Sequence, residues 1–180
     1  MPQSVFAICE NGKFHNIEAE DDVTALFRFA NGATGVYVTS TGDIPGTNRL
    51  ELSGDMGKAV IEQNVLRVWK LDVPESQFRN TSRDFFAVPH AEETAYCSDE
   101  KPEAHVGILK NWSEAILYGK PLLAPGQEGI RSLEISNAIQ LSAWKNQWID
   151  LPVNDEVFEE ELNKRIAISH YKRGKGYEGC

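Results

Sequence analysis

Apolar and polar residues alternate along Asp22–Phe29 and again along Thr34–Thr41, the period of a half-buried strand, and Asn31-Gly32 stands between the two runs. A two-residue type I′ turn needs positive φ at both central positions, which Asn-Gly supplies, so the pattern predicts a hairpin in which Ala30 pairs with Ala33. That register sorts the side chains. Val23, Ala25, Phe27, Phe29, Thr34, Val36, Val38 and Ser40 are expected on the core face. Asp22, Thr24, Leu26, Arg28, Gly35, Tyr37, Thr39 and Thr41 fall on the other, mixed face, which is solvated, a ligand floor or a subunit contact.

The same reading continues on both sides. Ser4–Cys9 is expected to be a strand before the hairpin. After it, Asn48–Ser53, Lys58–Gln63 and Leu66–Leu71 form a meander joined by Gly54-Asp55-Met56-Gly57 and a short turn at Asn64. Residues 74–83 suit a short helix, and Ala87–Cys97 a return to the sheet.

Three helices follow. Pro102 suits a first helical turn, and His105, Ile108, Leu109, Trp112, Ala115 and Ile116 make an apolar stripe that ends at Gly119. A second helix spans about Gly129–Asn146 with Ile130, Leu133, Asn137, Leu141 and Trp144 on one face. A third begins after the N-cap candidate Asn154 and carries Val157, Phe158, Leu162 and Ile166. Strands first and helices last predict an α+β two-layer sandwich, an open and mainly antiparallel sheet with helices on one face. Trp112 and Trp144 are expected in the core.

With 180 residues and 41% hydrophobic side chains, the chain is sized for one globular domain, with residues 170–180 a frayed, Gly-rich tail. A formal charge of −9 argues against nucleic acid or an anionic membrane as partner, since the basic residues are scattered apart from Lys172, Arg173 and Lys175. No apolar run approaches the roughly 18–20 residues of a membrane span, and no signal-peptide pattern follows Met1, so the expectation is a soluble, cytoplasmic protein. Cys9, Cys97 and Cys180 are odd in number and widely spaced, which predicts neither a disulfide framework nor a zinc site.

Motifs that carry chemistry are missing. Neither G-x-G-x-x-G nor G-x-x-x-x-G-K-[ST] occurs, so this chain alone is expected to hold no nicotinamide dinucleotide or nucleotide phosphate. His15, His90, His105 and His170 lack ligand spacing, and no nucleophile sits in a G-x-S-x-G setting, so no catalytic or metal-binding residue is assigned. The acidic runs Glu20-Asp21-Asp22 and Glu159-Glu160-Glu161 read as a strand start and the wet side of a helix.

Three stretches, EDDVTALFRFANGATGVYVTSTGDIPGTNRLELSGDMGKAVIE, HVGILKNWSEAILYGKPLLAPGQEGIRSLEISNAIQLSAW and IDLPVNDEVFEEEL, together resemble the C-terminal domain of the glucose-fructose oxidoreductase / inositol dehydrogenase / rhizopine catabolism (Gfo/Idh/MocA) family. The resemblance is weakest over residues 74–101. It implies a dihydrodipicolinate-reductase-like C-terminal domain of an NAD(P)-dependent oxidoreductase of sugars, inositols or related polyols, with the Rossmann domain and the family's catalytic lysine and histidine placed before Met1. Glu100-Lys101-Pro102 spells the lysine motif but precedes a helix instead of following a Rossmann strand, and is read as coincidence.

By the resemblance, the chain forms part of the substrate wall, uses NAD or NADP only within the complete enzyme, and joins into dimers or tetramers through its open sheet face. In Gly46-Thr47-Asn48-Arg49, Asn48 and Arg49 are candidate donors to substrate oxygens, or else a turn in which Arg49 pairs with Glu51 or Asp43. His105 is a candidate ligand contact or a satisfied structural histidine. A stand-alone, non-catalytic dimerisation or ligand-binding module is the alternative function.

Overall fold

The computed structural model describes residues 1–84, 86–97 and 103–170. The expectations for Pro102, the Glu100-Lys101-Pro102 triplet, Cys180 and the basic tail at Lys172, Arg173 and Lys175 lie outside those residues. Along the chain run β1 (Ser4–Asn11), β2 (Glu20–Arg28), β3 (Thr34–Ser40), β4 (Arg49–Gly54), β5 (Gly57–Glu62), β6 (Val65–Leu71), α1 (Glu75–Thr81), β7 (Ala91–Cys97), α2 (Ala104–Tyr118), α3 (Gly129–Lys145), β8 (Ile149–Asp150) and α4 (Asp155–Ile168). The class is α+β with antiparallel pairing, as expected. The strands fall into two four-stranded sheets, ordered β3-β2-β1-β8 and β4-β5-β6-β7. Residues 41–48, with Gly42, Pro45 and Gly46 among them, separate β3 from β4. Two compact units result, Met1–Ile44 with Tyr118–Cys180, and Pro45–Leu117.

In the first unit, Val5, Ala7, Ala25, Ala138, Leu141 and Ile149 form the core, and Trp144, Val157 and Phe158 pack against it. Small residues on the strands let α3 approach β1 closely, and Leu141 at 2% exposure fills the gap. Trp144 stacks on Phe158 with ring centroids 5.4 Å apart, which holds α4 to α3. Asn154 caps α4 as expected, its side chain accepting from the Val157 amide at 2.9 Å. The predicted stripe on α3 is buried only in its second half, since Ile130 and Leu133 are 64% and 61% exposed.

The hairpin register differs from the expected one. The Phe29 amide donates to the Ala33 carbonyl at 2.9 Å, so the loop has three residues, Ala30-Asn31-Gly32, and only Gly32 takes positive φ, at 86°. Such a loop is a turn closed by a left-handed glycine instead of a type I′ pair. Ala25 now stands opposite Tyr37, Val23 opposite Thr39, and Leu26 opposite Val36. Because side chains alternate with period two, this one-residue shift turns all of β3 over. Tyr37 and Thr39 join Val23 and Ala25 on the helix side. Val36 and Val38 join Thr24 and Leu26 on the uncovered side.

In the second unit, Gln63 and Asn64 both have positive φ, 50° and 62°, and make the tight β5–β6 turn that the Asn64 pattern predicted. Gly57 is required at the β4–β5 turn: its φ is 134°, and a Cβ there would lie 1.9 Å from the Trp69 carbonyl oxygen. Leu50, Ile61, Leu66 and Tyr96 share one face in register, and Arg49, Glu62, Val65 and Cys97 the other. The apolar stripe of α2 is not buried: Trp112 is 55% exposed, against its expected place in the core, and Leu109 and Ile116 are exposed too.

Candidate functional site

The turned-over third strand creates a cavity in the first unit. About 340 Å³ lies between β2, β3 and α3, in the size range of small-molecule pockets. Val23, Phe27 and Ile139 give it apolar walls, and Tyr37, Thr39 and Ser136 line it with hydroxyls. At one end Gln140 Nε2 donates to Glu20 Oε1 at 2.8 Å, bridging α3 to the start of β2.

Asp21 anchors that end. The β1–β2 register shifts between Glu10, opposite Asp22, and Asn11, opposite Glu20, so Asp21 is left without a partner in the ladder. Its carboxylate accepts from the amides of Lys13, Phe14 and His15 at 2.9, 2.8 and 2.9 Å. Burial pulls the carboxyl pKa up, and the amides of Phe14, Lys13 and His15 outweigh it, holding it below the ordinary aspartate value. Thr41 closes the arrangement: its Oγ1 lies 3.0 Å from His15 Nδ1 and its amide donates to the Asp21 carbonyl at 2.9 Å. The polar rim of the cavity is therefore fixed by hydrogen bonds of the β1–β2 loop. Nearby, Cys9 is half-buried between Glu10 and Glu20, and burial, with these two carboxylates, pushes its thiol up to about 11.

The sequence-derived residues Asn48, Arg49 and His105 lie in the second unit. Asn48 is exposed in the strand-free approach to β4. Arg49 is held by two carboxylates, Nη1 to Glu62 at 2.7 Å and Nη2 to Glu51 at 2.6 Å, and Lys58 Nζ reaches the other oxygen of Glu51 at 2.5 Å. Lys58 and Arg49 hold the Glu51 carboxyl below its ordinary pKa. His105 is exposed near the start of α2, and no hydrogen bond or ion pair joins it to Asn48 or Arg49 among the described residues. The pairing of Arg49 with Glu51 is one of the two alternatives the sequence left open.

Tyr37 and Thr39 were expected on the mixed face, for which a ligand floor was one of three readings, whereas Ser136 and the Glu20–Gln140 pair were not singled out from the sequence. One signal was present: Ser132 and Ser136 are four residues apart and so share one side of α3. None of the described groups of His, Cys, Asp and Glu is arranged to hold a metal ion. No described helix is long and apolar enough to cross a membrane.

Residues 1–60 match the family model described as the GFO/IDH/MocA C-terminal domain. No curated protein matches the chain. Solved structures share its fold. The WlbA dehydrogenase from Bordetella pertussis in complex with NADH and UDP-GlcNAcA is 19% identical with a TM-score of 0.52, over 85% of this chain and 40% of that one. Levoglucosan dehydrogenase in complex with NADH and levoglucosan is 19% identical with a TM-score of 0.60, over 84% and 45%. Aldose-aldose oxidoreductase from Caulobacter crescentus complexed with glycerol is 20% identical with a TM-score of 0.59, over 83% and 41%. The chain thus spans less than half the length of these proteins. Residues 1–60 thus resemble the GFO/IDH/MocA C-terminal domain in sequence, and most of the chain shares the fold of a part of these solved dehydrogenases.

Proposed function

We propose that this chain is the substrate-binding and subunit-contact part of an NAD(P)-dependent oxidoreductase acting on a sugar, inositol or related polyol in the cytoplasm. The match of residues 1–60 to an oxidoreductase domain carries the reading, and the sugar and NADH complexes of the similar structures support it. The chain's strand-to-helix passages lack the glycine spacing that seats a dinucleotide, so NAD or NADP belongs to the rest of the enzyme. When bound there, the nicotinamide supplies hydride transfer. This chain's residues orient the substrate and exclude water. Asn48, just before β4, and Arg49, its first residue, offer several N–H donors, and His105 a ring nitrogen. Two carboxylates fix the Arg49 guanidinium, which leaves three of its five N–H donors for substrate oxygens.

Subunit contact falls to the uncovered face of the first sheet, where Ile8, Leu26, Val36 and Val38 are 56%, 42%, 70% and 65% exposed. The test of the substrate role is Arg49→Ala in the complete enzyme. The expected result is a KM raised by about tenfold with an unchanged melting temperature, since an exposed ion pair contributes only about 0–1 kcal/mol. A lowered melting temperature with unchanged KM assigns Arg49 to the sheet alone and removes it from the site.

A further inference from the structure

We infer that the groove bounded by α3, α4 and the β1–β2 loop is a docking site for the chain's own residues 171–180, held there by carboxylates and an apolar floor. This site is independent of the proposed function.

Position comes first. Helix α4 closes at Ile168, and the Glu18 carboxylate of the β1–β2 loop takes the next two residues: it accepts from the Ser169 hydroxyl and, at 2.7 Å, from the His170 amide. Glu18, Ser169 and His170 are themselves part of the wall of a groove of about 640 Å³, so the chain reaches residue 171 at the groove. Ten residues follow, about 33 Å when extended, against roughly 21 Å for the length of α4.

The groove offers more than it uses. Ile17, Leu162, Ile166 and Ile168 are 47%, 38%, 61% and 72% exposed and leave apolar surface beside Trp144 open to water. Its charge is uneven. Arg165 is matched by Glu161 at 2.7 Å and lies over the Trp144 ring, 4.4 Å from its centroid. Glu20 gives one oxygen to the Gln140 amide, and its second accepts no hydrogen bond among the described residues. An incoming ammonium or guanidinium can donate to that oxygen.

Residues 171–180, YKRGKGYEGC, have the matching chemistry. Lys172, Arg173 and Lys175 stand against one carboxylate, Glu178, in a chain whose formal charge is −9. Tyr171 and Tyr177 bring aromatic faces to the isoleucines and hydroxyls to the rim. A basic segment of another molecule would meet the same groove, but this one is joined to its wall, at an effective concentration of roughly millimolar or above. The tether decides the occupant. Glu20 and Gln140 line both this groove and the cavity beside the hairpin, so a cation seated on Glu20 also bears on the bridge that closes the cavity's end.

The experiment places a nitroxide on Cys180 of the isotope-labelled 180-residue chain carrying Cys9→Ala and Cys97→Ser, and reads the relaxation enhancement it causes at backbone amides. The expected result is strong enhancement at residues 17–20 and 162–168 that does not change with protein concentration. Reversing three charges together, Lys172→Glu, Arg173→Glu and Lys175→Glu, should reduce it at least about threefold. Ile166→Asp, at an exposed position of α4, should reduce it as much while the spectrum stays dispersed. The charge reversals lie outside the elements of the fold, so they keep the test decisive should Ile166→Asp unfold the chain. Enhancement absent from these amides, or undiminished by the charge reversals, overturns the proposal. Enhancement seen only when isotope-labelled and spin-labelled copies are mixed also overturns it, and assigns the groove to a second copy.

Discussion

Ser142 and Ala7 are joined by a hydrogen bond across 135 positions of sequence, the Ala7 amide donating to Ser142 Oγ at 2.9 Å. The same hydroxyl donates to the Gln147 carbonyl at 2.6 Å. Strand β8 is two residues long and pairs with Ser4 and Val5 only, so the edge of β1 continues past it. Ser142, fully buried on α3, supplies the acceptor that a longer strand would have given. Ser142→Ala strands a buried N–H, and a loss of about 1–3 kcal/mol is expected from urea unfolding, with no change in m-value.

Asp21 makes stability depend on pH in one direction. Its folded pKa is depressed below the unfolded value of about 3.9, so its contribution is fully present above about pH 4 and is lost as pH falls through the folded pKa. The urea midpoint of the native protein should fall more steeply below about pH 4 than that of Asp21→Asn, which has no carboxylate to titrate. Parallel pH profiles for the two would remove Asp21 from this role.

With its thiol pushed up to about 11 by burial and by Glu20 and Glu10, Cys9 should be inert toward alkylation. At pH 8 about one molecule in a thousand carries the thiolate, against roughly a quarter for an ordinary cysteine. In a Cys97→Ser, Cys180→Ser background, iodoacetamide labelling of Cys9 should run at least about a hundredfold slower than that of a model thiol. Labelling at the rate of a free thiol would contradict the packing around β1.

If the uncovered face of the first sheet joins two chains, light scattering should report a dimer for the native protein and a monomer for Val38→Lys. Val38 is 65% exposed, so the change should alter the unfolding free energy of the monomer by no more than about 0.5 kcal/mol. A native monomer at high concentration would end this part of the proposal.

The elements were legible because their signals are local. Alternation marked β2 and β3, and Asn154 marked the start of α4 through a contact three residues long. The pair of hairpin turns shows where local signals stop. Gln63-Asn64 adopts the two-residue form, while Asn31-Gly32, the stronger signal for it, closes a three-residue loop. Both loops are compatible with Gly32, and the choice between them places Tyr37 and Thr39 beside Val23 and Ala25, under α3. That preference depends on a helix about one hundred residues further along the chain. Asn48, Arg49 and His105 were found from composition and resemblance. The cavity was not, because Glu20, Tyr37 and Ser136 come together only through that register and the docking of α3.

The three-residue loop at Ala30-Asn31-Gly32 also decides what chemistry the neighbouring strand displays. Closing the same residues as a two-residue turn, with Ala30 opposite Ala33, would swap the two sides of β3 without altering a single side chain in it: valines would replace Tyr37 and Thr39 in the cavity, and hydroxyls would replace Val36 and Val38 on the uncovered face. The lining of the cavity and the makeup of the uncovered face are thus both tied to the form that one exposed turn takes.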